Sequence, residues 1–327
     1  MKVIFLPLNF GSVSQKGMED AFIDNGCDLR VFDYFQEYDN FRSDRMKTRH
    51  ALIERAVEFK PDLIHMQIQH TDIIDAETVR ILKAHLPNTT IVNWTGDVRN
   101  YVPETFSSIA RHADLNLVSS TGQLEMFEKR IGKPIHYWQI GYDQKLYYPG
   151  EPRTEFDYDV IFIANHNARE DYPGRREREE AVLKMKAELG SRFALFGHGW
   201  GSQFGARDSL EQKIIGQYYH RSFCCLSVSH YNNIDNYFSD RLLMCMASGR
   251  PTVSLRYPHW ENYWTNESDI VMADSIYDIP KRVRWVIEDR DRAEFIGLSG
   301  AAKVFAEHTY TSRVKELLKM VRACQKQ

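Results

Sequence analysis

What most restricts the fold of this chain is an alternation that runs along most of its length. Short apolar runs recur with helix-like stretches between them: "KVIFLPL", a helix near "MEDAFIDNG", "DLRVFDY", a helix around Ser43 to Phe59, "DLIHMQI", a helix over Ala76 to His85, and "TIVNWTG". "DLNLVSS" and "PIHYWQIG" complete this first series. Runs this apolar suit strands buried on both faces, and strands separated by helices pair in parallel, so the pattern predicts a parallel sheet covered by helices on both sides.

The segment "YDQKLYYPGEPRTEFDYD" is turn-forming and lacks a period, which reads as a linker. The alternation then restarts with "DVIFIANHN", a charged helix from about Arg175 to Leu189, "RFALFGHGW", "FCCLSVS", a helix within "YFSDRLLMCMASGRPTV", "PTVSL" and "DIVMA", with two or three helices to the end. The expectation is an α/β protein of two Rossmann-like domains, residues 1–145 and 146–327, with parallel sheets facing across a cleft. Ligands of such sheets bind outside the carboxyl ends of the strands, so the residues just after each strand are the ones to inspect.

Composition narrows the class without naming it. The 327 residues are 43% hydrophobic and 27% charged, with a net charge of -3, which gives no overall attraction to nucleic acid or anionic lipid. Cys27, Cys224, Cys225, Cys245 and Cys324 include no C-x-x-C pair and read as reduced thiols of a cytoplasmic protein. The apolar run of "MKVIFLPLNFGS" is too short for a secretion signal, and no stretch approaches the roughly 18 apolar residues of a membrane span.

Several residues at strand ends carry possible chemistry. In "YFSDRLLMCMASGRPTV", Ser239 is placed as an N-cap, Gly249 and Pro251 stop the helix, and Asp240 and Arg241 fall in the first turn, where free N–H groups favour an anion. The bland alternative is a surface Asp–Arg pair completing the cap. "ANHNAR" places Asn165 to Arg169 at a strand's carboxyl end, with a polar loop as the alternative; Arg175 and Arg176, in "RREREE", read as a solvated helix face. "FGHGW" offers Gly197 and Gly199 for close backbone approach and Trp200 as a stacking plane, or a tight turn with a core tryptophan.

In the first half, "NWTGDVR" puts Asp97 just beyond a strand, with Arg99 beside it; the competing reading is a turn that caps the next helix. His65 reads as a core histidine, while His70, at the strand's end, and Gly11 with Ser12 and Ser14, after the first strand, stand where a ligand could approach. The P-loop spacing is absent. "DYD" (Asp157 to Asp159) and "DRD" (Asp289 to Asp291) lie at the wrong ends of their elements for a site at the strand termini, so no metal site is expected.

The ordered set "QIGYDQKLYYP", "DVIFIANHN" with Arg169, "FALFGHGW", "YFSDRLLMCMASGRPTV" and "AAKVFAEHTYTSRVKELL" resembles the GT-B glycosyltransferases, and the later half resembles the CgeB-like or "glycosyl transferases group 1" type. "VNWTGDVR" is similar to a segment of phage-encoded relatives. The resemblance implies a nucleotide-diphosphate sugar as co-substrate, with a UDP-sugar favoured and no tightly bound cofactor or metal. The donor would be held by Asn165, Arg169, Gly197, Gly199, Trp200, Tyr237, Ser239, Asp240 and Arg241, with Arg241 and the first-turn amides on the diphosphate. Asp97 would take the acceptor's proton if the reaction inverts, and Gly11, Ser12, His70 and Arg99 would line the acceptor side.

One departure stands out: Met244 occupies the position of a glutamate that holds the donor in many relatives, leaving Asp235 or Asp240 for that contact. The acceptor is open among a hydroxymethylated base in phage DNA, a glycan, a protein and a small molecule. A DNA acceptor would call on a basic rim such as "NFRSDRMKTRH", and a phage enzyme would work in its host's cytoplasm. The alternative functions are a non-catalytic nucleotide-sugar-binding module and a sugar-nucleotide epimerase.

Overall fold

A computed structural model describes residues 1–11, 14–68, 72–169 and 172–326. The chain divides into two compact units, Met1–Ile140 with Tyr310–Gln327, and Gly141–Thr309.

The first unit runs β1 (Lys2–Leu6), α1 (Lys16–Asp24), β2 (Asp28–Val31), α2 (Tyr34–Asn40), α3 (Arg45–Phe59), β3 (Leu63–Met66), α4 (Ala76–His85), β4 (Thr90–Thr95), α5 (Glu104–Ala110), β5 (Leu115–Val118), α6 (Leu124–Ile131) and β6 (Ile135–Tyr137). The strands form one parallel sheet in the order β2-β1-β3-β4-β5-β6. The period of two along a strand sorts its side chains between two cores. Ile4, Leu6, Ile64 and Met66 meet Leu52, Val79 and Leu82 of α3 and α4, whereas Val3, Phe5 and Leu63 meet Phe22 of α1 and Trp94 and Trp138. Asp44 and Asp75 cap α3 and α4 by accepting the N–H of Lys47 and Thr78, at 3.1 and 2.9 Å.

The second unit runs β7 (Tyr158–Ile163), α7 (Arg175–Leu189), β8 (Phe193–Phe196), α8 (Gln212–His220), β9 (Ser222–Ser227), α9 (Asp240–Ala247), β10 (Thr252–Leu255), β11 (Val271–Ala273), α10 (Ile279–Glu288) and α11 (Arg290–Glu307). Its parallel sheet has the order β11-β10-β9-β7-β8. The order reverses beside the unit's first strand, so the crevice between the carboxyl ends of β7 and β9 is its topological switch point.

The last helix, α12 (Tyr310–Cys324), counts with the first unit rather than with the 146–327 domain expected from the sequence. Val314, Leu317, Leu318 and Val321 are spaced on one helix face and are buried with Val3, Phe5 and Phe22. At about 1.5–3 kcal/mol per fully buried aliphatic side chain, that contact decides where the helix belongs. The indole of Trp138 also donates to the Arg313 carbonyl at 3.0 Å.

Among the described residues, no helix is long and apolar enough to cross a membrane. All five cysteines are free thiols.

Candidate functional site

The switch point of the second unit gathers two arginines that make no ion pair among the described residues. Arg241, in the first turn of α9, reaches the end of β7: its Nε donates to the Ile163 carbonyl at 2.9 Å and its Nη1 lies 3.4 Å from Ser239 Oγ. Ser239 occupies the N-cap position, but its hydroxyl makes no capping bond and faces this guanidinium instead. Asp240 accepts the Arg241 N–H at 2.8 Å.

A second arginine, which the sequence reading did not single out, completes the arrangement. Arg178 of α7 is fully buried. Its Nη1 lies 2.6 Å from the imidazole nitrogens of His230 and its Nη2 donates to the Asn165 carbonyl at 3.1 Å. Among the described residues, neither Arg178 nor Arg241 makes an ion pair, although Arg175 on the same helix does. Burial and the neighbouring Arg241 push the Arg178 guanidinium well below its ordinary range. Taking such a charge out of water costs several kcal/mol unless an opposite charge meets it.

Two histidines surround the pair. Burial, followed by the Arg178 and Arg241 cations, holds His230 neutral, its value pushed down to about 2. His166 donates from Nε2 to the Glu179 carboxylate at 2.9 Å, and its ring stacks on Trp200 with centroids 4.3 Å apart. Burial lowers its value against the opposing pull of Glu179. The sequence signal for Arg178 lay in helix phase: it shares a face with Ala181, Val182 and Met185, all buried, so it could not belong to the solvated side of "RREREE".

The remaining donor-side candidates divide. Asn165 sits at the switch point, where its Oδ1 accepts the His198 N–H at 3.2 Å. Arg169 is exposed in the same loop, its N–H bonded to Asn167 Oδ1 at 3.1 Å. Tyr237 is half-buried and close enough to Arg178 to act on its charge. Met244 is half-buried on α9.

Gly197 and Gly199 make their close backbone approach within the second unit. Both have positive φ, and a Cβ there would stand 2.3 Å from the Ala164 carbonyl oxygen and 2.0 Å from that of His166. The close approach is therefore to the strand-end loop of the same unit. Trp200 is likewise committed: its Nε1 donates to the Ala164 carbonyl at 2.7 Å, while His166, Phe162 and Phe204 pack around the ring. The plane expected to receive a base is stacked against His166.

In the first unit, Asp97 lies in the loop after β4, with Oδ2 3.1 Å from Arg99 Nη2 and its side chain about half exposed. It caps no helix, because α5 starts after Pro103. The Gly96 carbonyl accepts from Ser119, tying the loop to the end of β5. Gly11 has φ +61° and open space where a Cβ would stand. Ser12 and His70 lie outside the described residues. His65 is fully buried among Phe5, Phe22, Trp94 and Trp138, and burial holds it neutral, down to about 3.

Three of the four Arg and Lys side chains of the basic segment at 40–50 are paired with carboxylates. Arg45 pairs with Asp72 at 3.0 Å, Lys47 with Asp44 at 3.6 Å, and Arg49 with Asp75 at 2.7 Å. Among the described residues, no group of three His, Cys, Asp or Glu side chains is placed to hold a metal ion. Asp157 and Asp159 pair with Arg221 and Arg192, and Asp289 caps α11.

The pattern defining the family described as "Glycosyl transferase-like" matches residues 175–319. No curated protein sequence matches the chain. Among solved structures, Anabaena HepE in complex with UDP and glucose is similar at a TM-score of 0.67 and 11% identity, over 99% of this chain and 100% of that one. Sucrose-phosphate synthase from Thermosynechococcus elongatus is similar at 0.65 and 11%, over 98% of both chains. An α-glucosyltransferase in complex with UDP and a 13-mer DNA containing a HMU base is similar at 0.65 and 11%, over 98% and 99%. At this identity the likeness is one of fold, and that fold is GT-B.

Proposed function

We propose that this chain, whose fold is GT-B and whose residues 175–319 match the glycosyl transferase-like family, is a glycosyltransferase that transfers a sugar from a UDP-sugar to a hydroxyl acceptor. The observation that carries this reading is the pair Arg178 and Arg241 at the switch point of the second sheet, without a carboxylate to meet either among the described residues. A buried guanidinium, Arg178, beside the half-buried Arg241 is costly to the empty protein and favours a ligand of high negative charge density, as a diphosphate is. As the glycosidic bond to the diphosphate breaks, negative charge grows on the leaving oxygens. Cations already fixed by Ile163, Asn165 and His230 stabilise it without reorganising. Uridine as the nucleoside is supported by the UDP in two of the similar structures.

Asp97 is the base proposed for the acceptor hydroxyl if configuration inverts, with Arg99 and Gly11 on the acceptor side. For the acceptor itself, a hydroxymethylated base in DNA is supported by the DNA in one similar structure. A glycan, protein or small molecule is favoured instead by the internal ion pairs of Arg45, Lys47 and Arg49, which leave little free charge for a phosphate backbone. A cytoplasmic location belongs to the same proposal, supported by the free thiols.

The test is thermal stabilisation by a panel of nucleoside diphosphates. UDP is expected to give the largest shift, because a ligand that binds only the native state stabilises it by mass action. The reading fails if no diphosphate shifts the melting temperature, or if the variants Arg178→Met and Arg241→Ala respond as the wild type does. A gel shift at two salt concentrations separates the acceptors: DNA requires retardation that weakens steeply with salt.

A further inference from the structure

At the carboxyl ends of β10 and β11 the second unit carries a cavity of about 420 Å³, walled by Glu177, Asn232, Asn233, Arg256, Asp274 and Tyr277. It adjoins the cation pair: Gly174, also on its wall, donates its N–H to the His230 carbonyl at 2.7 Å. We infer that this cavity is a saccharide subsite, taking one hydroxyl-rich ring whose hydroxyls are read by the carboxamides and carboxylates and whose apolar face rests on Tyr277.

The chemistry of the wall selects that ligand class. Each sugar hydroxyl needs both a donor and an acceptor, and a carboxamide presents the two from one side chain, while a carboxylate presents two acceptors. An anion is disfavoured, since two carboxylates face the space and the Arg256 guanidinium is committed to Asp274 and lies over the Trp260 ring. A cation is also poorly served, because no three carboxylate, histidine or cysteine groups converge among the described residues.

The wall is partly rigid before any ligand arrives. Asn232 accepts the Ser229 N–H at 3.2 Å, donates to the Ser229 carbonyl at 2.9 Å and reaches Glu177 at 3.4 Å. Asn233 makes no side-chain hydrogen bond among the described residues and is exposed. Tyr277 is 68% exposed, an unusual outlay of aromatic surface, with Lys184 over its ring at 4.5 Å. The volume falls within the range of about 300–1,000 Å³ usual for small-ligand sites.

The ring has two possible sources, the glycosyl group of the donor and a sugar of the acceptor. Only the first rests on the UDP-sugar reading. The experiment is saturation-transfer NMR on the full chain with free glucose, galactose, mannose and N-acetylglucosamine, each alone, with UDP, and with UDP-glucose. At least one free sugar is expected to bind. Asn233→Ala and Tyr277→Ala should each weaken it about fivefold or more, with unchanged melting temperature and unchanged stabilisation by UDP.

Displacement of the free sugar by UDP-glucose but not by UDP assigns the ring to the donor. Retention beside UDP-glucose assigns it to the acceptor. The inference is overturned if no sugar binds the wild type, if both variants bind as tightly, or if UDP alone expels the sugar. A missing response to UDP would count against the cation pair instead, so the two failures are distinguishable.

Discussion

Arg178 Nη1 lies 2.6 Å from the imidazole of His230, a contact between a buried guanidinium and a histidine that its neighbours keep neutral. A neutral imidazole accepts a hydrogen bond from the cation but cannot cancel its charge. In the function proposed above, that uncancelled charge is met by the diphosphate.

Arg241→Ala is expected to lower kcat/KM by about 100-fold or more, the scale of removing one preorganised donor from a developing anion. Arg178→Met should weaken UDP binding at least about tenfold. It should nevertheless leave the melting temperature of the ligand-free protein nearly unchanged, because relief from an uncompensated buried charge offsets the lost hydrogen bonds to Asn165 and His230. Calorimetric unfolding with and without UDP checks both. A large loss of ligand-free stability would mean that Arg178 is structural.

Asp97→Asn is expected to cut turnover by about 100-fold or more in an inverting reaction while leaving stabilisation by UDP intact. Arg99 would lose its ionic partner, so Arg99→Met is the control for disturbance of the loop. Full turnover in Asp97→Asn would remove the residue from the chemistry.

His65 makes stability depend on pH. Its folded value, about 3, is depressed below the ordinary histidine value, so between those two limits the unfolded chain binds the extra proton. Stability is then present at neutral pH and lost as pH falls through that window, with a slope approaching about 1.4 kcal/mol per pH unit from this residue. His230 acts in the same direction. Both ring nitrogens of His65 are buried without a hydrogen-bond partner among the described residues, so His65→Leu should be at least as stable at pH 7 and fall less steeply on acidification. Melting curves from pH 4.5 to 7.5 decide it, and parallel curves would be the wrong outcome.

Trp200→Phe is expected to cost about 1 kcal/mol, the indole bond to Ala164, without altering the preference for UDP over other diphosphates. Gly199→Ala should cost more, because it combines φ +83° with a Cβ 2.0 Å from the His166 carbonyl oxygen. A Trp200 variant that lost selectivity among nucleotides at constant stability would restore the stacking role.

Much of this protein is determined locally. Each strand of both sheets overlaps a strand-like run visible in the sequence, although β2 is a mostly exposed edge strand with two charged residues and β7 opens inside the segment read as a linker; α4 and α7 begin and end at the expected residues, because periodicity and caps act over a few neighbouring positions. The place of Arg241 in the first turn of α9 is legible for the same reason.

Tertiary structure decided the rest. The Val314, Leu317, Leu318 and Val321 stripe announces a buried helix face but not which sheet it covers, and only packing assigns it to Phe5 and Phe22. Trp200 announces an aromatic plane without saying what meets it, and only the fold shows His166 stacked on it. The meeting of Arg178 with His230 and Arg241 joins α7 to a loop residue 52 positions further along the chain and to the helix start that follows it. A charge announces its sign from the sequence alone; whether water, a carboxylate or nothing stands beside it depends on chain segments brought together by folding.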